Sequence, residues 1–142
     1  MSDPRKVVSN DGVEGPNRTR KIDNSTITYD KTKAGGSAAV GKALKFSADD
    51  TVALTTDGSE VVGELLLVEA DGFCTVRERG PVKLPGGASA ALTLGKKIVG
   101  AVDGDGNGGY IREVATGTAA ELGKARGYIA NNDDTTAVVV EL

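Results

Sequence analysis

Apolar and polar positions alternate along this chain in short runs, cut by glycine, aspartate and asparagine. The strongest stretch is residues 58–80, where the apolar runs Val61–Val68 and Phe73–Val76 are joined by Glu69-Ala70-Asp71-Gly72. Asp-Gly between runs rich in β-branched and apolar residues predicts a hairpin, because glycine accepts the positive φ of a tight turn. In the first run, Val61, Gly63, Leu65 and Leu67 fall on one face, and Val62, Glu64, Leu66 and Val68 on the other. Both faces are largely apolar, which predicts cover on both sides of this strand. In so short a chain a second subunit is a candidate for one cover, so Val62, Leu66 and Val68 are the expected oligomer face.

The other runs read as partners of this hairpin. Gly41–Phe46 alternates, with Leu44 and Phe46 inward; Ser47–Asp50 turns, and Thr51–Leu54 returns. Val82-Lys83-Leu84 is a short strand between Pro81 and Pro85-Gly86-Gly87. The plan then repeats. Leu94–Val99 matches Val40–Lys45 at an offset of 54, and Gly127–Ala130 matches Gly63–Leu66 at an offset of 64. Gly109–Val114 stands for the Thr51–Leu54 strand, and Ala137–Leu142 for Phe73–Glu78. Two repeated hairpin pairs predict an all-β fold, a small closed or nearly closed β-barrel or β-tulip-like domain over residues 39–142. Thr118–Lys124 is the one stretch that suggests a helical turn.

Residues 1–38 have a different texture. Their apolar positions are scattered among Ser, Thr, Asn and Gly, too few to offset the entropy of ordering. They predict either a disordered tail or an extended arm that orders on a partner, with Thr26-Ile27-Thr28-Tyr29 adding a strand to a foreign sheet edge. Arg18-Thr19-Arg20-Lys21 could touch phosphate, but without interleaved aromatics it reads as a solvated charge run. Ala34-Gly35-Gly36-Ser37-Ala38 reads as a hinge.

Composition narrows the function. Twenty glycines suit many turns, and a formal charge of −3 does not suggest a nucleic-acid binder. The first 33 residues nevertheless carry seven Lys or Arg against five acids, a basic segment on an acidic body. There is no histidine, which removes the Ser-His-Asp and Cys-His systems and the commonest zinc ligand. The single cysteine, Cys74, lies in an apolar strand and is expected to be a buried, inert thiol. No signal-peptide pattern opens the chain and no apolar run approaches a membrane span, so a soluble protein made in the cytoplasm is expected.

The candidate chemistry is thin. Asp103-Gly104-Asp105-Gly106-Asn107-Gly108 resembles the start of a calcium loop, but the twelfth position is Val114 rather than a bidentate acid. A hairpin tip accounts for the same residues. Asp49/Asp50, Glu69/Asp71 and Asp133/Asp134 fall in turns, with no sign of a cleft that would separate their pKa values. Pro85-Gly86-Gly87 lacks the Gly-Lys-Ser/Thr ending of a phosphate loop. A lipoyl-type carrier would need a lysine at a hairpin tip, and the tips Ala70–Gly72 and Asn131–Asp134 have none.

The run Gly41–Phe46, then Thr51–Asp57, then Val61-Val62-Gly63-Glu64 resembles the capsid decoration (cement) proteins of tailed bacteriophages. Ala91–Val99, Gly127-Tyr128-Ile129 and Ala137–Leu142 are similar to the family in the second half. The resemblance spans residues 38–142 and rests on glycine spacing and alternation. It implies a structural protein without catalysis, metal or cofactor, on the outer surface of the expanded head in the virion. There, as a homotrimer, it would clamp the major capsid protein against DNA pressure, with no nucleic-acid or membrane partner. An N-terminal arm would reach the shell, making Val7, Val8, Arg18, Arg20, Lys21, Ile22, Ile27 and Tyr29 the expected contacts. The arm is longer than in the shortest members. The rival reading is a host-surface or glycan-binding module, a head-fibre base or adhesin domain. Sugar sites favour exposed aromatics, and with Phe46 and Phe73 expected in the core only Tyr29, Tyr110 and Tyr128 remain for that role. An enzyme with a carboxylate cleft is the third.

Overall fold

Strand β1 (Asn17–Ile22) begins the structure, a computed structural model that describes residues 17–88, 92–115 and 119–142. Four more strands follow: β2 (Ala43–Ala48), β3 (Thr51–Leu54), β4 (Gly63–Val68) and β5 (Phe73–Arg77). They close into a barrel in the circular order β1-β3-β2-β4-β5. The two hairpins β2–β3 and β4–β5 are those the alternation predicts. At the Asp71-Gly72 tip Gly72 takes φ +88°, and the Asp71 carboxylate accepts the Phe73 N–H at 3.1 Å. Two antiparallel hairpins cannot close a barrel of this size alone, and β1 supplies the missing stave. It runs antiparallel to β5 and parallel to β3, with Ile22 opposite Val52.

The chain then repeats the arrangement. Strands β6 (Pro81–Leu84), β7 (Ile98–Ala101), β8 (Tyr110–Glu113), β9 (Tyr128–Asn131) and β10 (Val138–Glu141) form a three-stranded sheet β6-β10-β9 and the hairpin β7–β8. Single bridges, Gly86 with Ile111 and Ile98 with Arg126, join these into the circular order of the first barrel. The register repeats almost residue for residue. Arg18 pairs with Val76 and Arg20 with Cys74; 64 positions on, Val82 pairs with Val140 and Leu84 with Val138. Leu65 faces Val76 as Ile129 faces Val140, and both hairpins slip register at the next residue, Leu66 and Ala130. The Gly41 N–H donates to the Leu65 carbonyl, and the Gly95 N–H to that of Ile129, each at 2.8 Å. The short helix α1 (Ala119–Leu122) lies between β8 and β9, inside the stretch where a helical turn is expected.

The fold is therefore all-β, and the repeat is real, but each repeated hairpin pair builds its own barrel instead of sharing one. Two cores follow, the first around Leu44, Val52, Leu65 and Val76, the second around Ile98, Ile111, Ile129 and Val140.

The boundary at residue 38 needs correction. Residues 17–38 belong to the first barrel. Ile22 is 4% exposed and Ile27 is fully buried. Asp23 fixes the turn between them: its carboxylate accepts the N–H groups of Ser25, Thr26 and Ile27 and the hydroxyls of Ser25 and Thr26. Burial raises the Asp23 pKa, but these bonds outweigh it and leave the group below its ordinary value. Thr26 Oγ1 in turn accepts the Leu54 N–H at 3.0 Å. The segment Thr26–Tyr29 is thus anchored to the first barrel through Thr26 and Ile27 and is not itself a strand. Ala34–Gly36 is a 3-10 turn packed on β4, not a hinge. The first 16 residues of the expected arm lie outside the described residues.

A close junction joins the barrels. The segment Thr55–Ser59, just after β3, lies against Gly100, Gly108 and Gly109 of the second barrel. A Cβ on Gly108 would overlap the Thr55 carbonyl, and one on Gly100 would come 2.7 Å from the Thr55 Cβ, so only glycine permits this approach. Thr55 Oγ1 donates to the Tyr110 carbonyl at 3.0 Å and accepts the Gly109 N–H at 3.0 Å. Arg112 binds Asp57 at 2.9 Å and, with two bonds, Glu121 of α1.

Candidate binding surfaces

The expected site residues divide into three groups. Val7 and Val8 lie outside the described residues. Ile22, Ile27, Val62 and Val68 are core residues of the first barrel, none more than 4% exposed, and therefore neither arm contacts nor an oligomer face. For Val68, on β4, the burial has a simple cause. The register slip at Leu66 shifts the alternation, so that Leu65 and Val68 both point inward and Leu67 points out, 41% exposed. Leu66 is half-buried. Arg18, Lys21 and Tyr29 remain at the surface, Tyr29 at 43%.

Arg20 is engaged within its own barrel. Its guanidinium makes a forked pair with Glu78, at 2.8 and 3.0 Å, and reaches Asp50, which raises its pKa. The pair with Glu78 is the substantial part, since Asp50 is 70% exposed and screened by water. The same guanidinium carbon lies 5.1 Å from the centroid of the Phe46 ring. At the equivalent place the second barrel has Leu84, fully buried. Arg20 thus stands at the end of the first barrel where its twin carries a buried leucine.

Three aromatic and aliphatic positions escape the sequence pattern. Phe46, expected inward with Leu44, is 42% exposed, and Phe73 is 39% exposed. Phe46 keeps the inward register, opposite buried Val52, but stands at the open mouth of the barrel, where it lines a cavity with Arg20 and Asp50. Phe73 lies one residue before Cys74, and strict alternation puts it outside once Cys74 and Val76 are in. Leu67, Phe73 and Thr75 share an outer face with Lys21 of β1, since Lys21 pairs with Phe73 and Leu67 with Thr75.

Among the described residues, recesses lie at two places of interest. Arg20, Phe46, Ser47, Asp49 and Asp50 line an open cavity of about 440 Å³ at the end of the first barrel. A groove of about 340 Å³ runs between the barrels, lined by Glu64, Leu66, Arg77, Pro81, Lys83 and Val139. Burial raises the Glu64 pKa against the opposing pull of the Lys83 N–H and of Arg77. In the 103–108 loop, the Asp103 carboxylate accepts the N–H groups of Asp105 and Asn107 and the Asn107 side-chain amide. These bonds lower its pKa and make it a turn-former of the kind the sequence suggests. Asp134 likewise binds the Thr136 N–H and hydroxyl, and Cys74 is buried as expected. Among the described residues no helix is long and apolar enough to cross a membrane, and no cluster of acids and cysteine is arranged to hold a metal ion.

Compared with known proteins, the chain matches no family model, no curated protein and no solved structure.

Proposed function

We propose that the protein is a structural decoration (cement) protein that binds the outer surface of an expanded phage head and stabilises it against internal pressure. The reading rests on the resemblance set out above, and one observation carries it further. The first barrel presents Leu67 and Phe73, with Lys21 beside them, on one outer face, and the same β1 strand leads back at Asn17 to residues 1–16. An apolar patch with a basic rim at the Lys21 end of β1, with residues 1–16 leading from the Asn17 end of the same strand, gives a shell contact in two parts. The arm is reduced to residues 1–16, with Val7 and Val8 as its apolar contacts. Arg18, Lys21 and Tyr29 belong to the barrel's contribution. Many copies on a repeating lattice would hold tightly even if each contact is modest.

The test is co-sedimentation of the purified protein with expanded empty heads, using the full chain, a chain lacking residues 1–16, and Phe73→Asp. Saturable binding by the full chain, weakened in both variants, with heads that melt at a higher temperature, is the expected result. A full chain that binds no heads overturns the reading.

A second reading, a glycan-binding module, gains from the exposure of Phe46 and Phe73, which sequence alone counts as core. Glycan-array binding by the isolated protein that is lost in Phe46→Ala would favour it.

A further inference from the structure

The cavity at the end of the first barrel has a counterpart within the same chain, and that counterpart is occupied. Counting along the matched strands, Phe46 corresponds to Gly100 at an offset of 54, and Asp49 and Asp50 correspond to Gly108 and Gly109 at an offset of 59. Asp50 and Gly109 also share a positive φ, +52° and +99°. Gly100, Gly108 and Gly109 are the surface on which the second barrel receives the first. The cavity is therefore the receiving end of the first barrel, left open.

The inserting end has a free twin as well. In the internal junction Lys42, Ala43 and Thr55 bear on the glycines: the Ala43 N–H donates to the Gly109 carbonyl at 2.8 Å, and the Lys42 ammonium sits 5.3 Å from the Tyr110 ring centroid. Their counterparts in the second barrel are Lys96, Lys97 and Val114. The bonds agree: Thr55 N–H to Ala43 carbonyl is repeated as Val114 N–H to Lys97 carbonyl. Lys96 and Lys97 are exposed.

We infer that this chain associates head to tail with a second copy of itself, the Lys96-Lys97 end of one barrel pair meeting the Phe46/Asp49/Asp50 end of the next. The internal junction sets the alignment. Ala43 against Gly109 becomes Lys97 against Asp50, and Lys42 against Gly109 becomes Lys96 against Asp50. Two cations at one end thus face the carboxylates of Asp49 and Asp50 at the other, Asp50 being shared with Arg20 of its own barrel, and this charge match selects a copy of this chain over an unrelated partner. The fit is looser than the internal one. Side chains at Phe46, Asp49 and Asp50 replace the glycines and hold the incoming copy further off, and Asp49 falls near Glu113, the counterpart of Leu54. The contact is consequently weak and salt-sensitive. It joins unlike surfaces, so it closes into a ring or runs on as a filament according to the rotation between copies. Nothing in it depends on the capsid reading, and it is tested without heads.

The experiment is sedimentation velocity on the full chain at low and high salt, with Lys96→Glu/Lys97→Glu and Asp49→Lys/Asp50→Lys alone and mixed. Wild type is expected to associate at low salt and dissociate at high salt. Each variant alone should weaken association by roughly tenfold or more, since like charges then meet. Mixing the two restores opposite charges at every junction and should restore association, which also shows that both variants are folded. A wild-type chain that stays monomeric at about 100 µM, a concentration well above a micromolar Kd, overturns the inference. So does an oligomer unaffected by either variant.

Discussion

Arg126 and Val62 hold the same position in the two repeats, and the guanidinium of the first donates to the carbonyl of the second at 2.7 Å. Each residue gives its own N–H to the matching strand of its barrel, Val62 to Leu44 of β2 and Arg126 to Ile98 of β7. The valine goes into the core of the first barrel. The arginine instead leaves its barrel and also binds the carbonyls of Val61 and Glu78. Burial lowers its pKa, with Glu78 pulling the other way.

Arg126 is thus a clasp between the barrels, and its removal should be costly. Arg126→Ala leaves three partly buried carbonyls without their donor, a loss of about 3 kcal/mol given 1–3 kcal/mol per orphaned group with some recovered by water. Thermal unfolding should fall by roughly 6–12 °C for a chain of this size. Arg126→Lys, with a point charge in place of a planar fork, should recover only part of the loss. A melting curve unchanged in Arg126→Ala would show that the barrels are held by the Thr55–Ser59 contacts alone.

The N-terminal boundary gives the second prediction. A chain lacking residues 1–16 keeps β1 and should show the circular dichroism and melting temperature of the full protein. A chain lacking residues 1–33 loses the fifth stave of the first barrel together with Ile22 and Ile27, and should lose cooperative unfolding of that barrel. Ile27→Ala alone should cost about 2–5 kcal/mol, the usual range for emptying a fully buried aliphatic site. Proton–nitrogen NMR spectra of the two truncations distinguish these outcomes directly.

What the sequence made legible follows from how locally each feature is encoded. The hairpins were readable because Asp71-Gly72 and the alternating runs on either side are short-range signals. The repeat was readable because Gly41-Lys42 and Gly95-Lys96 recur with the same bonds. The role of β1 was not, because Asn17–Ile22 is polar in five of its six residues and is recruited by distant partners, β3 and β5. Ile22 and Ile27 look scattered in sequence, and only the Asp23 turn brings them to one core. The outward turn of Leu67 depends on the bulge at Leu66, and the exposure of Phe46 on its place at the open end of the barrel; neither leaves a mark in a pattern of period two. Of the expected site residues, those that reach the surface are polar or aromatic, and the aliphatic ones within the described residues went largely to the core.

Cys74 should be silent to thiol reagents in the folded protein. Burial pushes its thiol up to about 11, and the side chain is 1% exposed. At pH 8 the thiolate fraction then falls by about two orders of magnitude relative to a free cysteine, before access is counted. Labelling by a colourimetric disulfide reagent should appear only with unfolding. The repeat also nominates the replacement: the matching residue of the second barrel is Val138, so Cys74→Val should change stability by less than about 1.5 kcal/mol. Rapid labelling of the native protein would mean that the first barrel opens far more readily than its packing suggests.

Two glutamates should respond to pH with opposite sign. Arg112 and the Ala115 N–H lower the Glu121 pKa to about 2, against an ordinary value of 4.5. The unfolded chain therefore binds the proton first, so the stability this pair contributes is present above pH 4.5 and is lost as pH falls towards 2. Glu64 is the reverse case: burial raises its pKa, so the folded state holds the proton more tightly, and its ionisation destabilises the fold as pH rises above 4.5. Glu121→Gln should consequently lower the denaturation midpoint at pH 7, with the difference shrinking steadily as pH falls from 4.5 to 2. Glu64→Gln, which keeps an oxygen for the Lys83 N–H, should raise the midpoint at pH 7 and do nothing at pH 3. Urea titrations of both variants at those pH values check the signs. A Glu64→Gln protein less stable than wild type at pH 7 would show that the carboxylate's attraction to Arg77 and Lys83 outweighs its desolvation in the groove between the barrels.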